Sequence, residues 1–360
     1  MKERVYFVDF ARSYAIFLAL FDHSLNDFNI WSKYPFEQYA IIKLFTSSAT
    51  PTFLFLFGMM LELVYLKRLK VKGLSSIRPQ LIKRSFQCYL GFMLTSLAGL
   101  IGGYMTVKGL LGSSIFVVNN HYGNILKIYC VLILLAIPML LLRRNYGIWS
   151  LIILCFSFWI FYPITSQIEV ANGNINNFTS FIFGVGNSGG PSVIHALSIV
   201  SLGMLSATFI DFNNRWKFPK MNMLLLLVIM SGICLYLFSI PFNDFIENYF
   251  SNNYRNNNHP LYYLVSLSLA IILILIFSTL IPLGIKLKPW TNHLLVFGRN
   301  SLSAFTIGNI ILNLIYNEAK DYTFSIVIPL LFIILIYVIL FAYEKVEIKL
   351  KKRKITYSNQ

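Results

Sequence analysis

Residues 4–25 read RVYFVDFARSYAIFLALFDHSL, and this stretch decides the fold. It is apolar enough to enter a bilayer, yet it carries Asp9, Arg12, Asp22 and His23. An ionisable side chain inside a membrane costs roughly 2.5–3.5 kcal/mol on insertion scales, so such residues face a polar interior and often mark function. Four in one span exceed what an anchor needs. At about 100° per residue, Arg12 and His23 project from one helix face, about 16 Å apart along the axis. Asp9 precedes Arg12 by one turn and shares that face. Asp22 points about 100° away. Asp9, Arg12 and His23 therefore make a polar stripe and not a contact triad, while Asp22 is directed at another polar group.

Outward from this helix the chain keeps the same character. Of 360 residues, 57% are hydrophobic, 12% are charged and 32 are Phe, which is the composition of a polytopic membrane protein. The expected fold is all-α, with about ten spans of roughly 20 residues each. They fall near 5–25, 40–66, 86–106, 125–142, 148–164, 191–210, 221–240, 262–285, 299–316 and 324–343. Residues 1–345 read as one transmembrane domain and 346–360 as a basic cytoplasmic tail. The first span lacks a small-residue cleavage site and reads as a retained helix, not a signal peptide.

The net charge of +16 follows a pattern. Basic residues cluster at Lys2 and Arg4, from Lys67 to Arg84, at Arg143 and Arg144, from Arg215 to Lys220, from Lys286 to Arg299, and from Lys345 to Lys354. Alternate loops thus carry the positive charge, which predicts both termini inside. Lys33, Lys43, Lys108, Lys127, Arg255 and Lys320 fall on the outer side. Confinement to short loops between apolar spans argues against a nucleic-acid partner and for contact with membrane lipids. Cys88, Cys130, Cys155 and Cys234 lie in or beside spans without metal spacing, so neither a disulfide framework nor a metal site is expected. The chain has no phosphate-binding loop or dinucleotide fingerprint.

Local signals fill in the rest. Thr50 and Pro51 suit the N-cap and first turn of the second span. Glu62, near the inner end of that span, is expected to snorkel to the interface. Residues 165–191 and 241–260 are outer loops rich in Asn and Gly, suited to solvated turns or to a hydroxyl-rich ligand. The ninth span opens with FGRNSLSAFTIGN, where Asn300 and Ser301 can cap the helix and Arg299 marks the inner interface. Asn309 and Asn313, one turn apart, share a face and suit hydrogen bonds to other helices.

The spacing Arg12-X10-His23 in an Asp-containing first helix resembles the membrane acyltransferase-3 superfamily. The closer resemblance is to its glucan-modifying OpgC-type succinyltransferase branch. RVYFVDFARSYAIFLALFDHSLNDF is similar to the opening helix of the family, TPTFLFLFGMMLELVYLKR to the second and RSFQCYLGFML to the third. HYGNILKIYCVLILLAIPMLLLRR, GPSVIHALSIVSLGMLSA and GRNSLSAFTIGN resemble later signatures. The chain departs from the family at Ser13, where Gly is usual, and at Gly308, near a frequent His.

This resemblance implies an acyl-CoA-dependent O-acyltransferase of a bacterial inner membrane, with acetyl-CoA preferred as donor substrate and no permanently bound cofactor. The acceptor would be a hydroxyl of a surface or periplasmic glycan such as lipopolysaccharide O-antigen. Succinyl transfer to periplasmic glucans is the alternative. His23 is the expected general base, suited by an unperturbed pKa of about 6.5. Arg12 and Asp9 complete the catalytic set, or pair structurally with each other. Arg12, Arg84 and Arg299 are assigned to the donor, and Asp22 and Asn309 to the acceptor. The basic loop 67–84 suits CoA phosphates, anionic lipid or topology alone. His121, His195, His259 and His293 read as structural or solvated. A transporter or flippase of a polar substrate is the rival class, although its repeated interrupted spans are not evident.

Overall fold

The computed structural model describes residues 6–34, 36–160, 162–168, 174–186, 190–210, 218–280, 291–319 and 325–358, and these are all-helical, with no strand. The main elements are α1 (Tyr6–Asp27), α2 (the helical run Gln38–Lys72), α3 (Leu74–Ile101), α4 (Asn124–Tyr146) and α5 (Ile148–Ile160). They continue with α6 (Val193–Ala207), α7 (Phe218–Ser239), α8 (Pro260–Leu280), α9 (Val296–Arg299), α10 (Ser301–Ala319) and α11 (Val327–Ser358).

A helix stands at each expected span. Among the described residues four are long and apolar enough to cross a membrane: Gln38–Lys72, Asn124–Tyr146, Pro260–Ser278 and Val327–Glu347. They fit a membrane protein. Apolar helices Val193–Ala207 and Ser301–Ile315 are shorter, and α1 is weighed down by its charges. Large apolar side chains also point outward. On α3, Leu90, Leu94, Leu97 and Ile101 are exposed at three- and four-residue spacing, the stripe of a helix facing an apolar medium. Of the basic residues that predict topology, Lys2, Arg4, Arg215, Lys217, Lys286, Lys288 and Lys320 lie outside the described residues. The basic tail carries on the helix α11 without a break as far as Ser358.

Helix α1 is central. It packs against α2, α8, α9, α10 and α11. Its first half (Phe7, Val8, Ala11) joins one buried apolar cluster, and its second half (Ile16 to Leu25) joins another. Two glycines bring α9 and α10 against it. A Cβ on Gly298 would lie 2.2 Å from the Asp9 carbonyl oxygen, and one on Gly308 would lie 2.5 Å from Leu20 Cδ2. The Gly298 amide also donates to Ser13 Oγ at 2.7 Å. The stretch from Gly298 to Asn309 therefore runs beside α1 in the same direction, from Asp9 towards His23.

The second close approach joins α2 and α6. A Cβ on Gly58 would sit 2.0 Å from the Val200 carbonyl oxygen, and one on Gly203 would sit 2.1 Å from that of Phe55. Because backbone and not a flexible side chain is met, the helices must separate if either glycine gains bulk. Small residues let helices approach this closely where lipid removes the usual hydrophobic driving force. Gly203→Val is expected to destabilise by about 1–3 kcal/mol or more. Thermal unfolding of the detergent-solubilised chain checks this, and an unchanged Tm would refute the contact.

Two expectations change here. Thr50 is not an N-cap: helix covers Ala49–Met60, and the preceding residue Ser48 makes no side-chain cap. The chain is already helical before this point, so few backbone N–H groups are orphaned. Thr52 Oγ1 instead donates to the Ser48 carbonyl at 2.7 Å. Pro51 does occupy the first turn. Glu62 does not snorkel. It lies in a π-helical stretch, Leu61–Leu66, buried and paired with Arg143 of α4. Arg143 Nη2 meets Oε1 at 2.8 Å and Nε meets Oε2 at 3.2 Å. A partner so far along the chain leaves no local sign.

Candidate active site

Helix α1 delivers two polar groups, one turn apart, at its C-terminal end. His23 is half-buried. Its Nδ1 lies 2.8 Å from Asn309 Oδ1 on α10. The Asn309 amide nitrogen donates to the Tyr122 carbonyl at 3.3 Å, which leaves Oδ1 as the acceptor for His23. This network assigns the proton to Nδ1 and the lone pair to Nε2. Among the described residues Nε2 has no hydrogen-bond partner. The imidazole is held on both sides, stacked on Tyr122 at 4.2 Å and 18° and edge-on to Phe305 at 5.6 Å.

Asp27 is the residue that reading the sequence missed. The helix continues past Leu25 and places Asp27 one turn beyond His23. Its side chain is only 5% exposed. Oδ1 accepts from Tyr122 OH at 2.8 Å, Tyr104 OH at 2.9 Å and His121 Nε2 at 3.3 Å. Oδ2 is buried without a partner among the described residues. The i, i+4 spacing to His23 was the available signal. Asp27→Ala would remove the carboxylate acceptor shared by Tyr122 OH, Tyr104 OH and His121 Nε2. A buried group without its partner costs about 1–3 kcal/mol. A lowered Tm is expected, and an unchanged Tm would show that these groups find water instead.

Tyr122 ties the two halves together. It adopts φ 62°, a left-handed conformation that costs a bulky residue about 1–3 kcal/mol. Its ring supports His23, its hydroxyl reaches Asp27 and its carbonyl receives Asn309, so three contacts hold it there. Asn313 completes the shell, donating to the carbonyls of His121 at 3.3 Å and Asn309 at 2.7 Å. Both amide side chains are fully buried. Close passage of α3 makes room for α10: a Cβ on Gly102 would lie 1.8 Å from the Asn313 carbonyl oxygen.

The other expected residues are placed as follows. Asp22 faces α2, where its Oδ1 accepts from Thr46 Oγ1 at 2.9 Å and from Lys43 Nζ at 3.3 Å. Arg12 lies 3.7 Å from Asp9, an ion pair within one turn. Arg84 is exposed and donates to Gln87 at 3.2 Å. Arg299 grips Glu344 of α11 through two contacts of 2.8 and 2.7 Å. Asn300 does not cap α10 with its side chain, since its amide donates to Glu344 at 2.7 Å and to the Val296 carbonyl at 3.1 Å. The three arginines thus keep separate partners. His195 sits buried against Ser192 Oγ at 2.7 Å, and His293 meets Tyr337 OH at 2.6 Å. Among the described residues no group of three His, Cys, Asp or Glu could hold a metal.

The two Asn- and Gly-rich stretches meet. Tyr162, Ser166, Gly184 and Gly186 face Asn248, Asn253, Tyr254, Asn257 and His259 across a cleft of about 250 Å³. Tyr254 and His259 stack at 4.2 Å. Amides and hydroxyls beside flat rings are a lining suited to a neutral, hydroxyl-rich ligand. Residues 169–173 and 187–189 of these stretches lie outside the described residues.

Residues 4–106 match a family described as OpgC protein. The matched stretch holds α1, α2 and α3, and with them Asp9, Arg12, Asp22, His23, Asp27, Arg84 and Tyr104. It stops before His121, Tyr122, Arg299 and Asn309. The N-terminal part of the chain is therefore OpgC-like. No curated protein and no solved structure matches the chain.

Proposed function

We propose that this protein is a membrane O-acyltransferase that moves an acyl group, preferentially acetyl, from cytoplasmic acyl-CoA to a hydroxyl of a surface or periplasmic glycan. The observation that carries this reading is the His23–Asn309 hydrogen bond, which leaves Nε2 with its lone pair free. In the reaction Nε2 takes the proton of a sugar hydroxyl as that oxygen attacks the thioester carbonyl. The carbon–sulfur bond breaks, and the proton passes to the departing thiolate. Arg12 and Asp9, in the other half of α1, serve the donor as a neutralised pair. The outer Asn- and Tyr-lined cleft suits the acceptor.

Ten crossings with both termini inside would put Arg12 in the cytoplasmic half and His23 near the outer face. This order serves a donor arriving from within and an acceptor from without. A bacterial inner membrane provides both. The OpgC-like N-terminal part favours a second reading, succinyl transfer to periplasmic glucans. Mass spectrometry of ester-linked groups on glycan fractions separates the two. Cells lacking the protein are compared with cells carrying wild type. An acyl mass that appears only with wild type supports the reading and identifies the group. Identical acyl patterns in every glycan fraction would overturn it in favour of transport.

A further inference from the structure

Two basic side chains that form no ion pair among the described residues line the same cavity. Lys127, in the first turn of α4, is fully buried. Its Nζ donates to Asn119 Oδ1 at 3.0 Å and sits 4.1 Å from the centre of the Phe181 ring. Arg255 lies in the short helix Asn253–Asn256, and its Nε is buried without an acceptor among the described residues. Neither enters an ion pair among those residues. Asp22 is the carboxylate that the charge of Arg255 reaches, and it is already held by Lys43 and Thr46. Lys127 and Arg255 line, with Thr50, Asn119, Asn124 and Phe181, a small, partly open cavity of about 30 Å³.

A buried ammonium without a counter-charge is expensive, and an arginine cannot escape the cost by losing its proton. The guanidinium fork matches the two oxygens of a carboxylate or phosphate. Asn124 begins α4, so the positive end of a 23-residue helix faces the same space. The guanidinium keeps its charge, and the hydrogen bond from Lys127 to Asn119 brings no counter-charge to the cavity.

We infer that the cavity between Lys127 and Arg255 is a binding site for a small oxyanion, a carboxylate or a phosphate group carried by a ligand. The site is read by binding alone, so it stands or falls separately from the acyl-transfer reading. The test is thermal unfolding of the full chain in detergent, with inorganic phosphate or acetate against sodium chloride at equal ionic strength. A ligand that binds only the folded state raises Tm by mass action. A rise of about 2–5 °C at saturation is expected for wild type. It should vanish in Lys127→Met, which keeps the length of the side chain, and in Arg255→Gln. If one variant fails to fold, the other decides. A response to phosphate alone assigns a phosphate-bearing ligand, and a response to acetate alone assigns a carboxylate. Absence of any shift beyond chloride in wild type, or its full retention in the folded variants, overturns the site.

Discussion

His23→Ala is expected to lower the rate of acyl transfer by about 10²–10⁴-fold, the usual contribution of a positioned general base. The effect should fall on chemistry and not on folding. The ring is half-buried, it makes one hydrogen bond, and its stacking partner Tyr122 is held independently by Asp27 and Asn309. His23→Gln sharpens the test. A glutamine amide can still donate to Asn309 Oδ1, but it cannot take up a proton near neutral pH. The same loss in both variants, at matched levels in the membrane, assigns the effect to the basic nitrogen. Wild-type ester levels on glycans from His23→Ala cells would remove His23 from the reaction.

Glu62→Ala is expected to destabilise the protein by about 3–5 kcal/mol, because it leaves Arg143 charged and buried without its partner. The pair is well shielded, with side-chain exposures of 9% for Glu62 and 13% for Arg143. Both carboxylate oxygens are engaged, so the arginine has no second acceptor to turn to in this pair. Replacing both residues removes the charges together. Such double replacements by apolar side chains are often neutral or stabilising. Glu62→Met with Arg143→Leu should therefore recover most of the Tm lost in Glu62→Ala. A double variant as unstable as the single one would show that the π-helical turn itself, and not the stranded charge, sets the cost.

How much of this was legible beforehand depends on distance along the chain. The stripe on α1 follows from helix periodicity, which puts Asp9 and Arg12 on one face and leaves open the 3.7 Å ion pair they form. It also turns Asp22 away from His23, and Asp22 duly goes to Lys43 and Thr46. Asp27 obeyed the same periodicity and was passed over only because the apolar span ends at Leu25 while the helix does not. Asn309 and Asn313 were legible as amides on one face. That Asn309 meets His23, 286 residues away, was not. His121 and Tyr122 looked like ordinary loop residues, and no local pattern marks a loop that folds onto a carboxylate from another helix.

The sequence by itself determined an all-helical chain, the place of each main helix, and a first helix whose polar groups share one face. These properties depend on residues within a few turns of each other, where bond geometry decides direction. Tertiary structure alone decided which nitrogen of His23 is left free, that Asp27 gathers Tyr104, His121 and Tyr122, and that Lys127 and Arg255 share a cavity. Those outcomes depend on which helices touch. The touching is set by glycines at Gly58, Gly203, Gly298 and Gly308, whose missing side chains bring distant backbones within van der Waals reach.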